Sequence, residues 1–162
     1  MSEANTGRVF HWLLAGAVAF LVGAIVFALV EERRTTIDPL DVAAVATGRQ
    51  LYARHCAACH GSKLEGQPDW RERRADGRMP APPHDASGHT RHHPDAILFG
   101  IVKEGLVPGK YAPPGYESDM PAFGGVLSDE EVRAVLAYIK STWPQQALVF
   151  QREADRRSRE RR

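Results

Sequence analysis

The stretch "RHCAACHGSKLEG", residues 54 to 66, holds both cysteines of the 162-residue chain and follows them at once with a histidine. Cys56 and Cys59 stand three positions apart, so on one helical turn both thiols point to the same side, with His60 beside them. Two thiols so spaced can add across the two vinyl groups of a haem and leave the His60 imidazole to bind iron from the same face. C-x-x-C-H is the attachment signature of c-type haem. Three other readings meet physical objections. Zinc wants four ligands in a tetrahedron, and the remaining candidates, His84, His89, His92 and His93, are not at finger spacing. A thioredoxin-like pair wants a preceding strand and a βαβ context, neither of which the pattern offers. A disulfide across C-x-x-C would be strained inside a helix. Attachment of one haem c is the reading carried forward.

Outward toward the N-terminus, "WLLAGAVAFLVGAIVFALV", residues 12–30, runs without a charge. As a helix it would be about 28 Å long against a hydrocarbon core of roughly 30 Å. It is therefore expected to cross a lipid bilayer once. A cleaved signal peptide would end on small residues, whereas this run ends "FALVEERR", with bulky Val30 at the place a small residue would hold. Residues 1–11 are read as a cytoplasmic N-terminus and 31–43, charged and broken by Pro39, as a linker. Basic flanks orient the span poorly, with Arg8 before it and Arg33 and Arg34 after it. Covalent haem attachment in bacteria takes place outside the cytoplasm, which puts the domain on the periplasmic side of the inner membrane.

The rest is read as helices joined by long loops. Asp41 caps a helix that runs into the cysteine pair, and Pro94 opens another that Gly105 stops. "SDEEVRAVLAYIKSTW" begins with a capping box, Ser128 and Glu131, and keeps Val132, Val135, Leu136 and Ile139 on one stripe until Pro144. No strand period or internal repeat stands out, so the fold class is all-α: a small helical domain, residues 44–145, after one transmembrane helix. Three short helices with loops this long bury little apolar surface to offset the ordering of those loops. A large apolar cofactor would supply what is missing. The formal net charge of +1 excludes a chain-wide basic field, so nucleic acid is not an expected partner. Residues 151–162 nonetheless hold six arginines against three acids, and 146–162 is read as a solvated basic tail able to dock an acidic partner or anionic lipid.

In "GRQLYARHCAACHG", "SDMPAFGGVLSDEEV" and "VLAYIKS", in that order, the chain resembles the class I c-type cytochromes, specifically membrane-anchored monohaem members of the bacterial respiratory type. The resemblance covers residues 44–145. It implies a close crossing of the first and last domain helices at Gly48, Tyr52, Val135 and Tyr138. It implies that Met120, in "DMPAF", is the second axial ligand opposite His60, although Met79 shares the Met-Pro pair. It further implies that a proline carbonyl, Pro82 or Pro83, accepts from the His60 ring. Arg78, Trp70 and His84 are candidates for the haem propionates. A thioether sulfur favours ferrous iron and occupies the sixth position, so the implied function is outer-sphere electron transfer, with no substrate transformed. The implied partners are membrane redox complexes, a quinol-oxidising donor and a terminal oxidase. Two alternatives remain: a haem-based small-molecule sensor, and a haem subunit of a larger oxidase or dehydrogenase. The cluster His89, His92 and His93 beside Asp85 is read as a polar surface loop.

Overall fold

The computed structural model describes residues 3–35 and 37–161, with side chains described at 11–30 and 37–161. It divides into two compact units, Met1–Thr36 and Ile37–Arg162. No strand occurs among the described residues, and six α-helices and one 3-10 turn carry the chain.

The first unit is a single helix, α1, Glu3–Thr35. Its window His11–Val30 has a mean hydropathy of 2.8, and none of it is buried. A helix apolar on all sides and covered on none is long enough to cross a bilayer. The segment expected as a linker, 31–43, is helical as far as Thr35 and again from Val42, so the irregular stretch is shorter than the sequence suggests.

The second unit is built on the crossing of α2, Val42–His55, with α5, Asp129–Ser141. Asp41 starts α2 as expected, its Oδ1 accepting from the N–H groups of Ala43 and Ala44 at 3.0 Å each. The capping box at α5 is complete: Ser128 N–H donates to Glu131 Oε2 at 2.8 Å and Glu131 N–H to Ser128 Oγ at 3.2 Å. A Cβ at Gly48 would stand 1.8 Å from the Ala134 carbonyl oxygen, so only glycine lets the two backbones approach this closely. Beside that contact the rings of Tyr52 and Tyr138 lie 5.4 Å apart, and Leu51, Tyr52, Val132, Val135, Leu136 and Ile139 are buried. Helix α4, Asp95–Glu104, packs Leu98 into the same core and ends at Gly105, φ +80°.

Residues 146–162, expected as a solvated tail, are largely helix: α6 runs Gln145–Glu160 and docks against the domain. Ala147 and Gln151 are buried on it. Gln151 Nε2 donates to Asp95 Oδ1 at 2.6 Å, and Asp155 Oδ1 accepts from the Asp95 N–H at 2.6 Å. Asp95 in turn receives the ammonium of buried Lys140, at 2.8 and 2.9 Å, which also donates to the Ile37 carbonyl at 3.2 Å. Burial pushes the Asp95 carboxyl up in pKa while Lys140 pulls it down. The docked face of α6 mixes Ala147 and Leu148 with Gln151 and Asp155, so only a short apolar stripe announces it in the sequence.

Candidate functional site

The cysteine pair sits where α2 gives way to a single further turn. Helix α3, Ala57–His60, follows a break at Cys56, whose N–H still reaches the Tyr52 carbonyl at 2.9 Å. His60 and Cys59 both return hydrogen bonds to the Cys56 carbonyl, at 2.9 and 3.1 Å, so the three residues share one tight turn. Gly61, at φ +81°, ends it. The Tyr52 hydroxyl donates to the carbonyls of Gly61 at 3.0 Å and His60 at 3.3 Å, tying the turn to the buried α2–α5 crossing. Burial of that phenol raises its pKa.

Both cysteines are free thiols, Cys59 exposed and Cys56 partly so. Burial, with a smaller contribution from Cys59, pushes the Cys56 thiol up to about 11. Among the described residues no group of three or more His, Cys, Asp or Glu side chains could hold a metal ion.

The His60 ring is buried, and its Nδ1 lies 2.8 Å from the Pro82 carbonyl oxygen. Of the two prolines left open by the sequence, Pro82 makes this contact. Pro83 is buried with its carbonyl facing the Thr90 hydroxyl at 3.4 Å. Burial lowers the His60 pKa more than the carbonyl raises it, so the ring is neutral, with Nδ1–H donated to Pro82 and Nε2 left as the lone-pair nitrogen. A neutral imidazole with one oriented lone pair next to two free thiols is the donor set that a covalently attached haem requires, and the residues present fit it.

Other candidates fall in different places. Met120 is partly buried in the loop before α5, its N–H donating to Ser118 Oγ at 3.1 Å. Met79 is likewise partly buried, in the loop between α3 and α4. Arg78 pairs with Asp119 and, at 3.6 Å, with Glu117. Trp70 stacks on His89, ring centroids 5.4 Å apart, with the Arg71 guanidinium 4.0 Å from its ring. His84 stacks on His60 itself at 4.0 Å.

Two features were not legible in advance. His84 is held by its ring, Nδ1 at 2.9 Å from Thr90 Oγ1, and by its carbonyl, which accepts from Trp143 Nε1 at 2.7 Å. The other is Asp119, whose carboxylate pairs with both Arg74 and Arg78 and so ties the loop carrying Met120 to the loop carrying Met79. These guanidinium partners lower its pKa. Only the second left a trace, an acid next to a candidate ligand with two arginines at the far end of a loop. Of the surface histidines, His89 and His93 meet edge to face at 5.5 Å and His92 packs on Phe150 at 4.9 Å.

Comparison with known proteins gives the family. The profile of the family described as cytochrome c matches residues 45–143. The chain is similar to the gluconate 2-dehydrogenase cytochrome c subunit of Pantoea cypripedii, with 30% identity over 97 residues, or 60% of this chain. It spans only 20% of that relative's length. No solved structure matches the chain.

Proposed function

The chain belongs to the cytochrome c family, and from that membership we propose that it is a membrane-anchored one-electron carrier with a single haem c bonded through Cys56 and Cys59 and ligated by His60 and Met120. The observation that carries the reading is the turn at α3, where two free thiols adjoin a buried, neutral imidazole oriented by the Pro82 carbonyl. Bound there, haem c supplies reversible one-electron chemistry at its iron. The protein's part is to hold both axial positions so that no ligand exchanges as the charge changes. His60 does this through a ring fixed by Pro82 on one edge and His84 on one face. Met120 would offer a soft, neutral sulfur from the loop before α5.

Location follows from α1 and from attachment chemistry. The apolar window His11–Val30 suits a single pass through the bacterial inner membrane, and the attachment of haem c outside the cytoplasm supports a periplasmic second unit. A quinol-oxidising complex as donor and a terminal oxidase as acceptor fit an anchored carrier. Similarity to a dehydrogenase cytochrome subunit supports a second reading, in which this chain accepts electrons from a dehydrogenase as its haem subunit. Purification in mild detergent separates the two: a carrier elutes alone, a subunit brings the dehydrogenase with it.

The attachment itself is tested by extraction. Haem is expected to stay with the polypeptide in acidified acetone, at one per chain, and to become extractable in a Cys56→Ala/Cys59→Ala double variant. Haem released from the unaltered protein would remove the basis of this reading.

A further inference from the structure

Helix α6 has no role in the site described, yet it is docked through a buried polar network and carries four arginines against three acids, with Arg161 and Arg162 following it. Two of its three acids are engaged, and the third, Glu160, is exposed between Arg159 and Arg161. Glu153 pairs with Arg156 and Arg157, Asp155 accepts from the Asp95 N–H, and Glu160 lies in the last turn. Arg152, Arg159 and Arg161 are exposed and form no ion pair among the described residues. Val149 and Phe150, 52% and 48% exposed, lie on the same helix, Val149 one turn before Arg152 and Phe150 two and three turns before Arg157 and Arg161. Phe150 also lines a groove of about 510 Å³ between α6 and the start of α4, together with the apolar Pro94, Ile97 and Ala154, the polar His92 and Ser158, and the guanidinium-bearing Arg157 and Arg161. Apolar carbon and guanidinium groups in one lining match an anionic amphiphile, whose phosphate planar, forked donors hold well.

We propose that α6 and this groove form a second membrane contact, an interfacial helix that binds anionic phospholipid and lays the haem domain on the bilayer surface. The proposal rests on the reading that residues 11–30 cross the bilayer, because a chain so tethered meets that bilayer at high effective concentration. A lipid surface suits the patch better than a protein partner does. Two exposed apolar side chains and a narrow groove can enter the headgroup boundary but do not make the broad, flat face of a stable protein interface. The remainder of the second unit, about −2 over residues 31–150, is like-charged with anionic lipid, so the attraction is confined to the arginines of α6 and Arg161.

The test uses the full-length, haem-loaded chain in nanodiscs of phosphatidylcholine alone and of phosphatidylcholine with phosphatidylglycerol. Co-migration with both kinds of disc reports the anchor, and amide exchange over residues 145–161 reports α6. The expected result is co-migration with both, exchange about tenfold slower in the anionic discs only, and loss of that protection in high salt and in Arg157→Glu/Arg161→Glu. A second variant, Arg152→Glu/Arg159→Glu, is expected to lose it too while leaving the groove rim intact. Equal exchange in the two discs, or protection that appears only on adding a soluble acidic protein, overturns the docking while the anchor stands. Failure to co-migrate with either disc overturns the anchor and the docking together.

Discussion

At His60 two opposed influences act on one ring, burial lowering its pKa and the Pro82 carbonyl raising it, and burial prevails. The outcome is a neutral imidazole with a fixed tautomer. A similar economy applies across the site at Asp119, whose carboxylate is the only side chain of residues 117–122 that pairs with the arginine-bearing loop among the described residues, apart from Glu117 on Arg78. From Glu117 to Ala122 no backbone N–H bonds to another element; the next such bond is Phe123 N–H to the Val102 carbonyl at 3.0 Å. Asp119→Ala is therefore expected to leave the thermal unfolding midpoint nearly unchanged, since exposed ion pairs contribute little, but to loosen Met120 enough that a fraction of the reduced haem forms a carbon monoxide adduct where the unaltered protein forms none. A difference spectrum measures that fraction, and no adduct in the variant would show that the clamp does not bear on Met120. Much at this scale was legible beforehand. Cys56, Cys59 and His60 form a local signature, and local spacing survives folding. The choice between Pro82 and Pro83 was not legible, because it depends on how residues 61 to 66 turn back, with Gly66 N–H on the His60 carbonyl at 2.8 Å. The His84 stack joins residues 24 apart across that turn, and no pattern in the sequence encodes it.

Among the elements, the α2–α5 crossing carries the core and gives the sharpest mutational expectation. Gly48→Ala would drive a methyl into the Ala134 backbone, and a loss of about 3 kcal/mol in urea unfolding is expected. A loss under about 1 kcal/mol would mean that the helices separate easily there. The ion pair between Lys140 of α5 and Asp95 of α4 offers a contrasting case. Lys140→Met strands the partly buried Asp95 carboxylate without its cation, and an equilibrium loss of about 3 kcal/mol is expected. Lys140→Met/Asp95→Leu, which removes both charges, should recover part of it. The capping box, the Asp41 cap and the Gly105 stop were readable because they are chemical punctuation at chain-local positions. By contrast α6 hides its docking face, since Gln151 and Asp155 are polar and find their partners at Asp95, some 56 to 60 residues away. Its helix signals were present in Pro144 at the cap and in Glu153 paired with Arg156 and Arg157, but the charge run read more readily as solvated chain.

Taken whole, the molecule joins an apolar helix to a small helical cytochrome c domain, and its pH response should follow from the histidines packed into that domain. Burial lowers the His84 pKa well below its ordinary value, and burial together with His89 and His92 lowers that of His93. The unfolded chain takes up those protons near pH 6.5 while the folded chain does not. Stability is thus full above that pH and falls as pH drops toward the folded values. Asp95, whose pKa burial raises, acts in the opposite sense at lower pH. The unfolding midpoint of the haem-loaded protein is expected to decline below about pH 6.5, and less steeply in His93→Asn. A flat profile would mean that these rings are hydrated in the folded state.

The claim on which the functional reading depends is that both axial positions of the iron are filled by this chain. A carbon monoxide difference spectrum of the dithionite-reduced, haem-loaded protein tests it most directly, with Met120→Ala alongside. The account predicts no adduct in the unaltered protein and a full adduct in the variant. A full adduct in the unaltered protein would contradict it, leaving an open or labile sixth position and a small-molecule-binding haem in place of an electron carrier.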